Sequence, residues 1–221
     1  MNKLARRHAS AATRRQHNWQ APSLLDIGTR KIFNEEHDLF RQSCRAFWRS
    51  IDPARVRAWE EARGADPSIW KEAGAAGLLC IDTPEEYGGI GADFSFCAVA
   101  SEEQAYAGPD FFGPGLGLHT SIVAPYLFHY GTEEQKRRYL PEMTTGDVIT
   151  CIGMTEPSGG SDLQSMKTHA IRDGDDWILN GSKTFISNGT HATMGLIAAR
   201  TAKDEKAAHG ISLFLGDCGR N

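Results

Sequence analysis

Met154-Thr155-Glu156-Pro157-Ser158-Gly159-Gly160-Ser161-Asp162 is the stretch that decides how this chain is read, together with Asn180-Gly181-Ser182-Lys183-Thr184-Phe185-Ile186-Ser187-Asn188-Gly189 downstream of it. The first segment crowds a Thr hydroxyl, a proline, two adjacent glycines and a Ser into one turn. Backbone amides and hydroxyls there can face a polar ligand, since glycine lets the chain approach closely. The second places the Phe185 ring and the Ser187 hydroxyl two residues apart. In an extended strand over residues 184–187 both would point to one face, with Ile186 on the other. A flat, redox-active heterocycle needs a polar cradle for its edge and an apolar plate with one donor beside its reactive nitrogen. The pair therefore reads as half of a flavin site. Each piece alone has a plainer reading: Thr-Glu-Pro is a common turn, Gly159-Gly160-Ser161 can be a mere loop, and an isolated Phe185 is more often core. Two motifs in order at this spacing favour the site.

Outward from the motifs, the texture after Asp147 is that of short strands. Residues 148–154, 166–172, 177–179, 184–187, 193–200 and 211–215 are strand-like runs broken by Gly, Asp and Asn. Asn180-Gly181 between two of them predicts a tight hairpin turn, because that turn needs positive φ at both positions. Upstream the pattern is helical. Asn34 can cap a helix whose first turn carries Glu35 and Glu36, and Phe40, Cys44, Phe47, Trp48 and Ile51 make its buried stripe. Asp66-Pro67 starts a second helix, with Ile69, Trp70 and Ala73 on its apolar face and Gly74 and Gly77 towards its end. PEEYGGIG (84–91) is a loop, residues 94–106 and 117–130 are helical, and Thr132-Glu133-Glu134-Gln135 is a capping-box start for a helix that Pro141 closes. The boundary near residue 146 separates a helical domain (26–146) from a β domain (147–221), giving an α+β fold.

At 221 residues, 40% apolar and 24% charged, the chain has room for a real core and the balance of a globular protein. A net charge of -4 offers no nucleic-acid footprint. No apolar run nears the ~20 residues that span a bilayer. The five cysteines are scattered without C-x-x-C, and the histidines show no ligand spacing, so they read as reduced thiols and no metal. Absence of G-x-G-x-x-G after a strand and of a P-loop argues against a Rossmann or nucleotide-hydrolase site. Residues 1–25 differ: Lys3, Arg6, Arg7, Arg14 and Arg15 stand with Ser10 and Thr13, and no acid precedes Asp26. Such a leader reads as an organelle transit peptide, the plain alternative being a basic tail on a bacterial protein.

MTEPSGGSD and NGSKTFISNG, with EEYGGIG, EEQAY, YGTEEQKRRYLPEM and AHGISLFL, resemble the acyl-CoA dehydrogenase family over residues 26–218. The wording of DIGTRKIF, EEHDLFR, EEQAYAGP and DWILNGSK is most similar to its long-chain mitochondrial members. The resemblance implies a helical domain, a small β-barrel domain and a C-terminal four-helix bundle, the last being absent here and the barrel truncated. It implies FAD as cofactor, a fatty acyl-CoA substrate desaturated between its α and β carbons, an electron-transfer flavoprotein as acceptor, and a homo-oligomer in the mitochondrial matrix or a bacterial cytoplasm.

Residue by residue, the resemblance puts backbone groups of Ile152, Gly153 and Met154 and the Thr155 hydroxyl at the flavin's pyrimidine edge. Glu156, Pro157, Ser158, Gly159 and Gly160 complete that turn. Ser161 would lie where flavin phosphates and CoA converge, Phe185 and Ile186 along the ring, and Ser187 opposite the flavin nitrogen that receives hydride. Ala208 and His209 would approach CoA. Two positions depart from the usual pattern: Ser158-Gly159 replaces a glycine-and-small pair, and Phe185 stands where many members have Trp. The base that removes the α-proton belongs to the family's bundle, so none is named here, and neither Glu102, Glu103 nor Glu156 is given the role. Two other functions stay open: a non-catalytic half-site subunit, and a same-fold flavin oxidase or monooxygenase. Gly113, Gly115 and Gly117 would thin a helix start and make room for a long acyl tail, or else are ordinary loop glycines.

Overall fold

A computed structural model describes residues 32–108, 115–202 and 207–219. The leader at 1–25 and Gly113 lie outside the described residues. In the first stretch, ending at Asp38, Asn34 caps helix α1 (Glu35–Ser50) as expected: its carboxamide oxygen accepts from the Glu36 and His37 amides.

From Leu39 onward, Cys44, Trp48 and Ile51 are buried, and Phe40 and Phe47 pack against the same core. A helix that the periodicity did not suggest follows, α2 (Pro53–Ala62), started by Asp52 accepting from the Ala54 amide at 2.7 Å. Asp-Pro is the signal that also starts α3 (Ser68–Ala75), where Asp66 accepts from the Ser68 amide at 2.9 Å. Next come α4 (Phe94–Ala107), capped by Asp93, and α5 (Ala124–Tyr130), reached through the turn Leu116–Leu118 and a π-helical turn His119–Val123. The π turn precedes Pro125, whose missing N–H cannot continue the α-helical ladder.

Helix α6 (Glu133–Thr145) opens on the expected capping box, Thr132 and Gln135 bonding each other's backbone amides. Pro141 does not end it. The helix continues past Pro141 to Gly146, in the left-handed conformation at φ 78°. One proline removes one ladder bond and leaves the others. Gly146 and Gly74 serve a close crossing of α3 and α6: a Cβ at Gly146 would collide with the Trp70 carbonyl, and one at Gly74 with the Thr145 carbonyl.

Two ion clusters brace the helices. Glu103, its side chain 1% exposed, accepts from Arg41 and Arg45, while Glu102 accepts from Arg41 at 2.8 Å. Arg55 joins Glu72 and Asp66. The glutamates of α4 are thus structural counter-ions.

The described β residues form an open five-stranded sheet: β1 (Thr150–Gly153), β2 (His169–Asp173), β3 (Asp176–Asn180), β4 (Met194–Arg200) and β5 (Ile211–Asp217). Strand β4 is central and nearly continuously buried, as a strand covered on both edges should be. β5 pairs antiparallel with β4 along its whole length. β1 runs parallel to β4 from Met194 to Ile197, and β2 meets β4 in parallel at Arg200. A strand has only two edges, so β1 and β2 share one of them, in tandem. The 154–168 segment is therefore an excursion off β4's edge between the two. The sheet curls enough for Trp177 of β3 to pack edge-on against Phe214 of β5, ring centroids 5.4 Å apart.

Two expectations about this sheet fail. Asn180-Gly181 is not a hairpin turn; the β2–β3 turn is Gly174-Asp175, with Asp173 opposite Asp176 and Gly174 at φ 60°. Residues 184–187 are not a strand: they pair with no strand of the sheet, the Thr184 amide bonding the Thr155 carbonyl and the Ile186 carbonyl closing a turn with the Gly189 amide instead.

Candidate functional site

The excursion opens where β1 leaves the sheet. Ile152 and Gly153 are the last residues of β1, Gly153 buried. A Cβ at Gly153 would press on the tip of the Ile197 side chain at 2.9 Å and the Lys183 stem at 3.2 Å, so glycine leaves room there for both side chains. Met154 and Thr155 continue, half-buried. Glu156 and Gly159 then exchange both backbone hydrogen bonds, at 2.9 and 3.1 Å, closing a tight turn with Pro157 and Ser158 exposed at its tip. Gly160 follows beside the Thr155 methyl, and Ser161 is exposed.

Glu156 is the hub of this turn. It is 6% exposed and accepts from the Lys167 amide at 2.7 Å, the Thr168 amide at 2.8 Å and Lys183 Nζ at 2.9 Å. Burial alone would raise its carboxyl, but the donors of Thr168, Lys167 and Lys183 outweigh that and hold it down at about 2. An anion so engaged has no capacity left for proton abstraction at neutral pH.

Lys183 is the other half of the clamp. Its Nζ donates to the Met154 carbonyl at 3.1 Å as well as to Glu156. The next residue, Thr184, donates its amide to the Thr155 carbonyl at 3.0 Å. The two sequence motifs are thereby joined directly, 154–156 against 183–184.

Phe185 then takes the left-handed conformation at φ 56° with its side chain 93% exposed. A large aromatic in that region is strained by about 1 kcal/mol or more and is held there by its surroundings. Ile186 and Ser187 continue in irregular backbone, the Ile186 carbonyl accepting from the Gly189 amide. Because residues 184–187 are not extended, the same-face argument for Phe185 and Ser187 does not apply; a strained turn presents the ring instead. Asn188, also left-handed at φ 63°, donates to the Thr150 carbonyl at 3.0 Å and the Gly115 carbonyl at 3.2 Å. That pins the Phe185 turn to the start of β1 and to the helical domain.

Ala208 and His209 sit on the short turn Ala207–Gly210 before β5, with His209 exposed. The turn lies against Leu163–Ser165, just beyond Ser161. Among the described residues Thr155, Ser161 and Ser187 make no side-chain hydrogen bond with the protein, and no group of three or more His, Cys, Asp or Glu could hold a metal ion. No described helix is long and apolar enough to cross a membrane.

The residues fit a flavin ring. Three open hydroxyls border a turn whose carbonyls at Met154, Thr155 and Glu156 are already occupied, and an exposed aromatic stands beside it. Three supporting residues, Lys183, Asn188 and Thr168, are not legible from sequence. Lys183 and Asn188 lay inside the quoted motif, where the only available signal was their place beside Thr184 and Ser187.

Residues 34–147 match the family model described as acyl-CoA dehydrogenase, N-terminal domain, and residues 151–220 that of the acyl-CoA dehydrogenase middle domain. The long-chain specific acyl-CoA dehydrogenase, mitochondrial, of Mus musculus is 46% identical over 216 residues, 97% of this chain and 50% of that protein. Among solved structures, an acyl-CoA dehydrogenase from Geobacillus kaustophilus superposes with a TM-score of 0.81 at 42% identity, over 86% of this chain and 50% of that one. A glutaryl-CoA dehydrogenase from Mycobacterium smegmatis in complex with FADH2 gives 0.77 at 31% identity, over 86% and 47%. The chain thus spans about half the length of the relatives it matches.

Proposed function

From the premise that this chain belongs to the acyl-CoA dehydrogenase family, we propose that residues 152–161 and 185–187 hold FAD for the α,β-dehydrogenation of a fatty acyl-CoA. One observation carries the reading: the Lys183–Glu156 pair and the Thr184–Thr155 bond fuse two distant motifs into one cradle edged by unpartnered hydroxyls. When bound, FAD supplies a two-electron acceptor for the β-hydrogen of the substrate. The chain's own residues orient the ring. The Thr155 hydroxyl donates to its pyrimidine edge, the Ser187 hydroxyl to the nitrogen that gains charge, and Phe185 covers one face against water.

Ser161 with the Ala207–Gly210 turn, bearing Ala208 and His209, meets the CoA portion. The α-proton leaves to a carboxylate outside these elements, since Glu156, Glu102 and Glu103 are committed to cationic partners. The acyl tail points to the cleft of the helical domain lined by Trp48, Leu78, Ile81, Cys97, Leu116 and Gly117. Gly117 is open there, with nothing within 4 Å of a Cβ, whereas Gly115 is closed by Asn188. The long-chain relatives favour a long fatty acyl group. Their mitochondrial designation favours that organelle, with a bacterial cytoplasm as the alternative that a Bacillus subtilis relative supports; an electron-transfer flavoprotein as acceptor and a homo-oligomer as working form are what the family resemblance implies.

The test has two stages. FAD titrated into the purified chain should lose fluorescence, and long-chain acyl-CoA added to a full-length homologue should bleach its visible flavin band faster than short-chain acyl-CoA. Absence of FAD binding by both would discard the reading; bleaching by oxygen-consuming amines or hydroxy acids instead would move it to another flavin chemistry.

A further inference from the structure

We propose that Lys183 is a positioning residue of the cofactor cradle, locking the Met154–Glu156 turn so that its backbone carbonyls are engaged within the protein and the Thr155 hydroxyl is left to donate to an acceptor-rich heterocycle edge. This deepens the FAD reading and rests on it.

The geometry is specific. The Lys183 side chain is 10% exposed, unusual for lysine, and its ammonium sits among the Met154 carbonyl (3.1 Å), Glu156 Oε1 (2.9 Å) and Met166 Sδ (4.0 Å). Its stem runs under β1, where Gly153 leaves the room it needs. The carbonyls of three successive residues are then engaged: Met154 by Lys183, Thr155 by the Thr184 amide, Glu156 by the Gly159 amide. Rotating the turn to expose any of them to a ligand would break a bond to a buried or backbone donor. A ring edge rich in carbonyl oxygens and ring nitrogens matches such a surface better than an amine-rich one, which would find only hydroxyls and carbonyls that already hold one hydrogen bond each.

Lys183 is also the link by which the second motif controls the first, because Thr184 is placed by the anchor beside it. Arginine would not substitute freely, its planar fork being unable to enter the same narrow space as a point donor.

The experiment compares wild type with K183M, K183R and the double variant K183M/E156Q, which removes the carboxylate that K183M leaves buried without its cation. Three quantities are read: the thermal unfolding midpoint, amide hydrogen exchange over residues 154–160 without ligand, and the FAD dissociation constant by fluorescence quenching. K183M should lower the midpoint, speed exchange in that segment and weaken FAD by roughly tenfold or more. The double variant should regain most of the midpoint while keeping both the fast exchange and the weak FAD binding. A double variant that recovers all three shows Lys183 to be a strut of the fold and overturns the proposal. Unchanged exchange in K183M overturns it as well, whether or not FAD binds. Failure of wild type itself to bind FAD strikes the functional reading, with the exchange result still deciding what Lys183 does.

Discussion

Protonating His119 should loosen this protein between pH 6.5 and 4, and the size of the effect follows from its burial. His119 is 0% exposed, in the π turn beside β1 and α6. Its Nε2 lies 3.0 Å from the Met143 carbonyl and its Nδ1 3.0 Å from the Thr150 hydroxyl. A carbonyl only accepts, so Nε2 carries the proton and Nδ1 accepts from Thr150. Burial pushes its pKa down from 6.5 to about 4, with the Met143 contact acting the other way, so at neutral pH the ring is uncharged. A base whose folded pKa is depressed binds fewer protons folded than unfolded. Stability is full above pH 6.5 and is lost as pH falls from there to 4. The gap of about 2.5 units between those two values amounts to about 3 kcal/mol, most of it gone by pH 4.5. Urea unfolding at pH 7.5 and 4.5 should show that loss in wild type. H119Q can donate to Met143 and accept from Thr150 without titrating, so its stability should change far less over the same interval. Equal pH slopes in both proteins would refute the assignment, because every other titrating group is common to the two.

The remaining predictions concern the cradle and its supports. Glu156, held at about 2, adds stability that persists above pH 4.5 and is lost only as pH falls towards 2, a window separated from that of His119 and visible as a second acid transition missing in E156Q. G115A should destabilise the chain by about 2 kcal/mol, since Gly115 has φ 62° and a Cβ would collide with the Asn188 carboxamide; calorimetry reads it. G117L should leave the unfolding midpoint nearly unchanged and, made at the equivalent position of a full-length homologue, move acyl-CoA preference to shorter chains, measured as kcat/KM across chain lengths. N188A should cost about 2 kcal/mol for two lost bonds at a left-handed residue, and N188G, which relieves only the backbone, should recover a minor part in the same denaturant titration.

What the sequence made legible was whatever is decided within a few residues. Thr132 and Gln135 read correctly as a capping box because each bonds the other's backbone three positions away, and the Asn34 cap succeeds for the same reason. The stripe from Phe40 to Ile51 needs only the helical period. The Asp52-Pro53 start is equally local, but its helix has no apolar stripe beyond Val56 and Trp59 to signal it.

The errors share one cause. Whether Thr184-Phe185-Ile186-Ser187 forms a strand depends on its long-range partners, not on its β-branched and aromatic composition, and here Lys183 and Thr184 are tied to the Met154–Glu156 turn while Phe185 is left-handed. Asn180-Gly181 illustrates the same point from the other side. Its glycine is required, though not for a turn: a Cβ at Gly181 would run into the Thr168 backbone and hydroxyl as β3 leaves the sheet. The close approach puts Thr168 where its amide reaches Glu156, and Glu156 in turn meets Lys183. Nothing in residues 156, 168, 181 and 183 announces that they will touch. The chain is brought back on itself by the parallel placement of β1 and β2 along a single edge of β4, and only then does a glycine read as a turn former become the gap through which one motif grips the other.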